Sequence, residues 1–231
     1  MKLAVVQHRL RGDAIEDARR LAHAAKWAAE QGAEAVFFPS VDALREPEAR
    51  AVFATATDEL PGSRVVPLVS EGVRAQVFTA TDAIPGVGER LGAVALLYGD
   101  ACIDPAVLER TAAEKPSVLV LVPRSESDLQ AEAIIELAMR LSDSAAGLVI
   151  VAETTGGGFG EPGHGTSAVI LLGDLMAEAY DDDEVLLVTV QEPIPRPEPP
   201  EPLPEVPLIL QQRLAQHEGR RPDPGYLADL S

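Results

Sequence analysis

The run AEAVFFPSV, Ala33 to Val41, holds four consecutive apolar residues, Ala35 to Phe38, and then stops at Pro39. A short apolar run closed by a proline is the pattern of a buried strand, and the residue just past a strand end is well placed to carry a functional side chain. That position is Ser40. Upstream, Lys2 to Gln7 (KLAVVQ) reads as a first strand, and Gly12-Asp13 breaks it. Asp13 and Glu16 form an acidic version of a capping box. The helix they open runs to about Gln31, with Ile15, Ala18, Leu21, Ala22, Ala25 and Ala29 as its predicted apolar face. Gly32 stands where a helix-terminating glycine belongs. Strand, helix and strand in succession make a right-handed unit with parallel strands.

Beyond this unit, RVVPLV and VRAQVFTA read as short strands, with Pro67 assigning the first to an edge or a bulge. GAVALLYG, SVLVLVP and GLVIVAET are further strands. Between them, Asp104-Pro105 starts one helix. Ser127 and Gln130 cap another, whose predicted inner face is Leu129, Ala133, Ile134, Leu137 and Leu141. SAVILLG, LMAEAY and EVLLVTV then read as antiparallel strands, because their connections are too short for crossovers. Asp181-Asp182-Asp183-Glu184, between the last two, reads as a solvated hairpin turn, since a calcium loop needs interspersed ligands and a glycine bend. The segment from Pro193 to Pro207 contains eight prolines in fifteen residues and is expected to be an extended spacer. The expected organisation is one α/β domain over 1–192 and a Pro-rich segment and tail over 193–231. So many strands with intervening helices pack most simply as two sheets face to face with helices outside, a four-layer αββα sandwich of mixed sheets.

The 231 residues carry a formal net charge of −18, and the stretch from Asp174 to Glu205 alone holds ten acidic residues against Arg196. A balance so far to the negative excludes the counterion displacement on which nucleic-acid binding depends, and it disfavours anionic membranes. No apolar run reaches membrane-spanning length, and the first residues lack the pattern of a signal peptide, so a cytoplasmic protein is expected. Cys102 is the one cysteine. It can form no intrachain disulfide and no multi-thiolate zinc site. His8, His23, His164 and His217 lack ligand spacing, so no metal is expected. Gly158 to Gly163 matches GxGxxG, but it leads into a strand where a dinucleotide site needs a helix, so no cofactor is expected either. His164 reads as a surface-loop residue, and Trp27, on the first helix, as a packing or dimer-face residue.

The order of these segments resembles the carbon–nitrogen hydrolase (nitrilase/amidase) superfamily. KLAVVQ…AAKWAAEQGAEAVFFPS resembles its opening, GAVALLYGD its nucleophile strand, and SVLVLVP the strand after that. AMRLSDSAAGLVIVAETTG and GTSAVILLGDLMAEAYDDDEVLLVTV resemble its later helix–strand and glycine–serine segments. The resemblance implies the αββα fold, a homodimer packed through helices, and hydrolysis by three groups. A Glu at the end of the second strand is the base, a Lys meets the oxyanion, and a Cys at the end of the nucleophile strand attacks. All three depart here. Ser40 occupies the Glu position, Gly99 (or Tyr98, if the match shifts by one) the Cys position, and none of Lys2, Lys26 and Lys115 lies in the interval where the Lys belongs.

The expectation is therefore a catalytically degenerate member with a binding, assembly or regulatory role. Two alternatives stay open. One is a divergent amidase, nitrilase or acyl transferase with Cys102 as nucleophile and Glu71, Asp100 or Glu153 as base. A helix start just beyond Cys102 would favour its thiolate, while Asp100 and Asp104 would oppose it. The other is a module that binds a small molecule in the vestigial pocket around Ser40, Gly99, Asp100 and Cys102.

Overall fold

The computed structural model describes residues 1–39, 44, 46–58, 64–66, 75–79, 88–156, 164–197 and 202–219. In chain order the strands are β1 (Lys2–Arg9), β2 (Ala35–Phe37), β3 (Arg64–Val66), β4 (Ala75–Thr79), β5 (Ala93–Tyr98), β6 (Val118–Val122), β7 (Leu148–Val151), β8 (Thr154–Thr155), β9 (Ala168–Leu171), β10 (Asp174–Glu178) and β11 (Glu184–Thr189). The helices are α1 (Ala14–Glu30), α2 (Pro47–Thr57), the single turn α3 (Gly88–Leu91), α4 (Pro105–Ala113), α5 (Asp128–Ser144) and α6 (Leu208–Gly219). A 3₁₀ turn, Gly99–Cys102, separates β5 from α4.

Two sheets result. The first runs β11-β1-β2-β3, with β8 added beside the end of β1, and the second runs β10-β9-β7-β6-β5-β4. β1, β2 and β3 are mutually parallel, as are β5, β6 and β7. The period-two alternation of strands sorts their side chains into layers. Leu3, Val5, Ala35 and Phe37 face Val94, Leu96, Val118, Val120, Leu148 and Ile150 across the gap between the sheets. Ala4, Val6 and Val36 face outward onto α1 and α2. Ala95, Leu97, Leu119, Leu121, Val149 and Val151 face outward onto α4 and α5. The architecture is the expected αββα sandwich, and among the described residues β3 is at a sheet edge; Pro67 lies outside them.

Local chemistry sets the helix ends. The Asp13 carboxylate accepts from the Ile15 and Glu16 N–H groups (3.1 and 3.0 Å), and Gly32 takes the left-handed φ of +84° that ends α1. Glu16 makes no reciprocal capping bond and pairs instead with Arg20. Ser127 Oγ accepts from the Gln130 N–H at 3.3 Å, and Asp104 caps α4 in the same way.

Three expectations are corrected. The buried face of α1 is Ala14, Asp17, Ala18, Leu21, Ala22, Ala25 and Ala28, rotated away from Ile15 and Ala29, because the Asp17 carboxylate turns inward to His8. Leu129 is 64 % exposed, since helical spacing puts it on the side opposite the buried stripe of Ala131, Ile134, Ala138 and Leu141. Residues 181–183 form no hairpin turn. β10 ends the second sheet while β11 pairs with β1 in the first, so this link crosses from one sheet to the other.

After β11 the chain passes back over the second sheet. Ile194 is buried, and Arg196, the lone cation of the acidic stretch, donates to Ser117 Oγ at 3.0 Å. The Pro195 carbonyl lies so close to Gly147 that an added Cβ there would sit 1.6 Å from it. Val206 and Leu210 bury against the α4–α5 layer and seat α6 on it.

Candidate functional site

Parallel sheets gather ligands at the carboxyl ends of their strands. Here those ends coincide for both sheets. β8 follows β7 directly and lies parallel to the end of β1, with His8 opposite Thr154 and Arg9 opposite Thr155. The inter-sheet mouth is thus bounded by the ends of β1, β2, β5, β6 and β7. Ser40 and Glu71 lie outside the described residues; Phe38 and Pro39 bring the chain to the rim.

At the end of β5, Tyr98 packs against the inter-sheet core, and burial pushes its phenol up to about 12. Gly99 follows with φ +53°, a left-handed conformation, and beyond its chain neighbours no atom of the described residues lies within 4 Å of where its Cβ would be. The turn it opens sends Asp100 and Cys102 elsewhere. Asp100 turns to α6, where its carboxylate accepts from Arg213 Nη2 at 3.3 Å and meets His217 Nδ1 at 3.0 Å. Arg213 is 4 % exposed and also donates to the Pro123 carbonyl at 2.8 Å, while His217 reaches Glu126 with its other nitrogen at 3.2 Å. Cys102 is fully buried in the helix-side layer among Ala95, Leu97 and Ile103. Its Sγ donates to the Leu97 carbonyl at 3.2 Å. Burial drives the thiol far above its ordinary range, and the Arg213 charge does not compensate.

Beneath the mouth runs a polar chain at which sequence motifs only hint. The Glu153 carboxylate is buried and accepts from the Ser125 N–H and, at 3.1 Å, from Ser125 Oγ. Burial raises it to about 7, and the Ser125 bonds and Arg213 offset only part of that rise. The Glu153 N–H donates to Ser167 Oγ, the Ser167 N–H donates to Gln7 Oε1 at 2.7 Å, and Gln7 Nε2 donates to the Asp181 carbonyl at 2.7 Å. Gln7, Ser125 and Ser167 thereby join both sheets and the link between them. Gln7 shares the inward parity of Leu3 and Val5, and that parity was the one sequence signal available for it.

The remaining titratable candidates make no hydrogen bond to this polar chain among the described residues, although His164 bridges to Thr155 and its charge acts on Glu153. His8 shares the outward parity of Ala4 and Val6 and is buried between Asp17 (3.2 Å) and Asp183 (3.0 Å). Burial pulls its pKa below the ordinary value against the pull of both carboxylates. His164 is exposed and meets Asp128 at 2.9 Å. Lys2 donates to the Gln31 carbonyl at the opposite end of the sandwich, Lys26 lies on the solvent side of α1, and Lys115 precedes β6.

No protein-family model and no curated protein matches the sequence. Solved structures do share its fold. An amidase from Nesterenkonia sp. AN1, studied with its His tag removed, superposes with a TM-score of 0.60 at 17 % identity, over 95 % of this chain and 98 % of that one. A variant of it in complex with butyramide gives 0.60 at 16 %, over 96 % and 97 %. Another, with acrylamide added to its active-site cysteine, gives 0.60 at 17 %, over 83 % and 93 %. The fold is that of the nitrilase-superfamily amidases. Within that nitrilase fold, the strand-end position that the resemblance assigned to a nucleophile is Gly99, in an open left-handed turn. The structure brings Asp100, Cys102 and Glu153 to the same region, but their side chains point into the α6 contact, the helix-side core and the polar chain respectively.

Proposed function

We propose that this chain is a catalytically degenerate carbon–nitrogen hydrolase-like protein that acts by binding a small molecule at the strand-end mouth, or by assembly or regulation, and does not hydrolyse C–N bonds. One observation carries the reading. The chain has one thiol and three lysines, all among the described residues, and none of them reaches the mouth. A thiol buried among aliphatic side chains and bonded to a backbone carbonyl meets no electrophile. Without an ammonium, the negative charge of a tetrahedral intermediate would lack its counter-charge. Ser40, at the position of the family's base, supplies no proton acceptor near neutral pH. The polar chain through Gln7, Ser167, Glu153 and Ser125 supports a binding role, because it stiffens the floor of the mouth without presenting a free nucleophile. The reading includes a homodimer, as the resemblance implies, and a cytoplasmic location, expected from the sequence pattern; among the described residues no helix is long and apolar enough to cross a membrane.

The test is a turnover assay of the purified chain on short aliphatic amides, nitriles and esters, beside its Cys102→Ala variant. The expected result is the same background rate for both. Turnover by the native chain that disappears in Cys102→Ala would overturn the proposal.

A further inference from the structure

A cavity lies outside the sandwich interior, on the outer face of the first sheet. α1 covers β1 and β2 but leaves a groove along β11. Its volume is about 480 Å³, within the ~300–1,000 Å³ typical of small-molecule sites. The floor is apolar: Val6, Val185 and Ala24. The charges around it divide into those already used and one that is not. Arg20 is paired with Glu16 at 3.0 Å. Asp183 is held by Arg11, His8 and the Arg9 N–H, and Glu184 accepts from the Tyr180 and Asp181 N–H groups at 2.8 and 3.1 Å. The side chains of Arg19, His23 and Trp27 make no hydrogen bond or ion pair among the described residues. They are spaced four residues apart on α1, so they form one stripe on the wall of the groove. Trp27 is 40 % exposed and is the one tryptophan of the chain.

We infer that this groove binds a small planar aromatic carboxylate, with its ring against the Trp27 indole and its carboxylate on the Arg19 guanidinium. An arginine offers two parallel N–H donors that fit a carboxylate, and indole offers a flat apolar face. Two helical turns separate the two residues, on the order of 12 Å along the axis. Once the reach of the two side chains is subtracted, an aryl acid spans what remains. The net charge of −18 repels anions in general, so saturable binding of one must come from this local arrangement and not from the overall field. The inference is independent of the strand-end mouth and of whether the chain hydrolyses anything.

Trp27 is its own reporter. Benzoate titrated into the full chain is expected to change the tryptophan emission saturably, with a Kd on the order of 1 mM for so small a ligand. Arg19→Gln, a surface change whose folding is checked by circular dichroism, is expected to weaken benzoate about tenfold, the loss of one charge-assisted contact. Benzamide should bind the native chain about tenfold more weakly for the same reason. No saturable response to benzoate, equal binding by Arg19→Gln, or equal binding of benzamide would each overturn the inference. So would a dimer by light scattering that dissociates in Trp27→Ala, since the groove would then be an interface between two copies of this chain.

Discussion

The sharpest consequence of the fold is the chemistry of Cys102 under alkylation. Its Sγ is sealed by Leu97, Ile103 and the α4 layer, so iodoacetamide reaches it only when the Gly99–Cys102 turn lifts or the helix layer parts. Even a local opening that costs about 4 kcal/mol slows the reaction about a thousandfold. Burial also lifts the thiol above its ordinary range, which thins the reactive thiolate further at pH 7.5. Native Cys102 should therefore alkylate at least about a thousandfold more slowly than the same thiol in urea. The complementary variant is Gly99→Cys in a Cys102→Ala background. Beyond its chain neighbours, no atom of the described residues lies within 4 Å of the new Cβ, so its thiol should label at nearly the rate of a free cysteine. The left-handed φ of +53° costs a non-glycine residue about 1–3 kcal/mol. In a chain of this size that lowers Tm by roughly 2–4 °C per kcal/mol. Mass spectrometry over time follows both reactions. Labelling of native Cys102 within tenfold of the unfolded rate, or a refractory thiol in the Gly99→Cys variant, would refute the account of which side of β5 is open.

Three other expectations rest on particular contacts. Glu153, raised by burial to about 7, favours folding while protonated; that contribution is complete below its unfolded value near 4.5 and is lost as pH rises to about 7. It is on the order of 3 kcal/mol, and urea unfolding at pH 4.5 and 8 should show it in the native chain and not in Glu153→Gln. Gly147→Ala should lower stability by about 1–3 kcal/mol or more, because the added methyl collides with the Pro195 carbonyl and must displace the strap that carries Arg196; thermal unfolding measures it. Arg213→Met should cost about 2 kcal/mol, discounted for the access of Asp100 to water, and should make α6 the first site of limited proteolysis. Cleavage that begins elsewhere would count against the clamp.

The parallel strands and most helix starts were legible because short-range signals produce them. Continuous apolar runs are what strands buried on both faces require, and Asp13, Asp104 and Ser127 cap their helices through their own side chains. Long-range partners were not legible. A short acidic link between two apolar strands reads the same whether the strands pair or divide between sheets, so residues 181–183 passed for a hairpin turn. The inward turn of Asp17 rotates the face of α1, but its cause is His8, nine positions away on another element. At the candidate site, the departures from the resembled pattern, FPS and Gly99, stand in the sequence itself. Which layer Cys102 enters was not plain, because the 3₁₀ turn after β5 breaks the alternation that assigns faces. The groove along β11 was invisible for a similar reason: it exists beside α1, where the helix leaves part of β11 uncovered, and strand pairing alone sets where β11 lies.

The crossing at residues 181–183 has a mechanical meaning. At one margin of the sandwich, β10 passes to β11 through that link, riveted by Arg9, Arg11 and His8. The two layers are therefore tied at that margin by the chain and by ion pairs at once, so parting the sheets there must break the pairs of Asp182 and Asp183 as well as the packing.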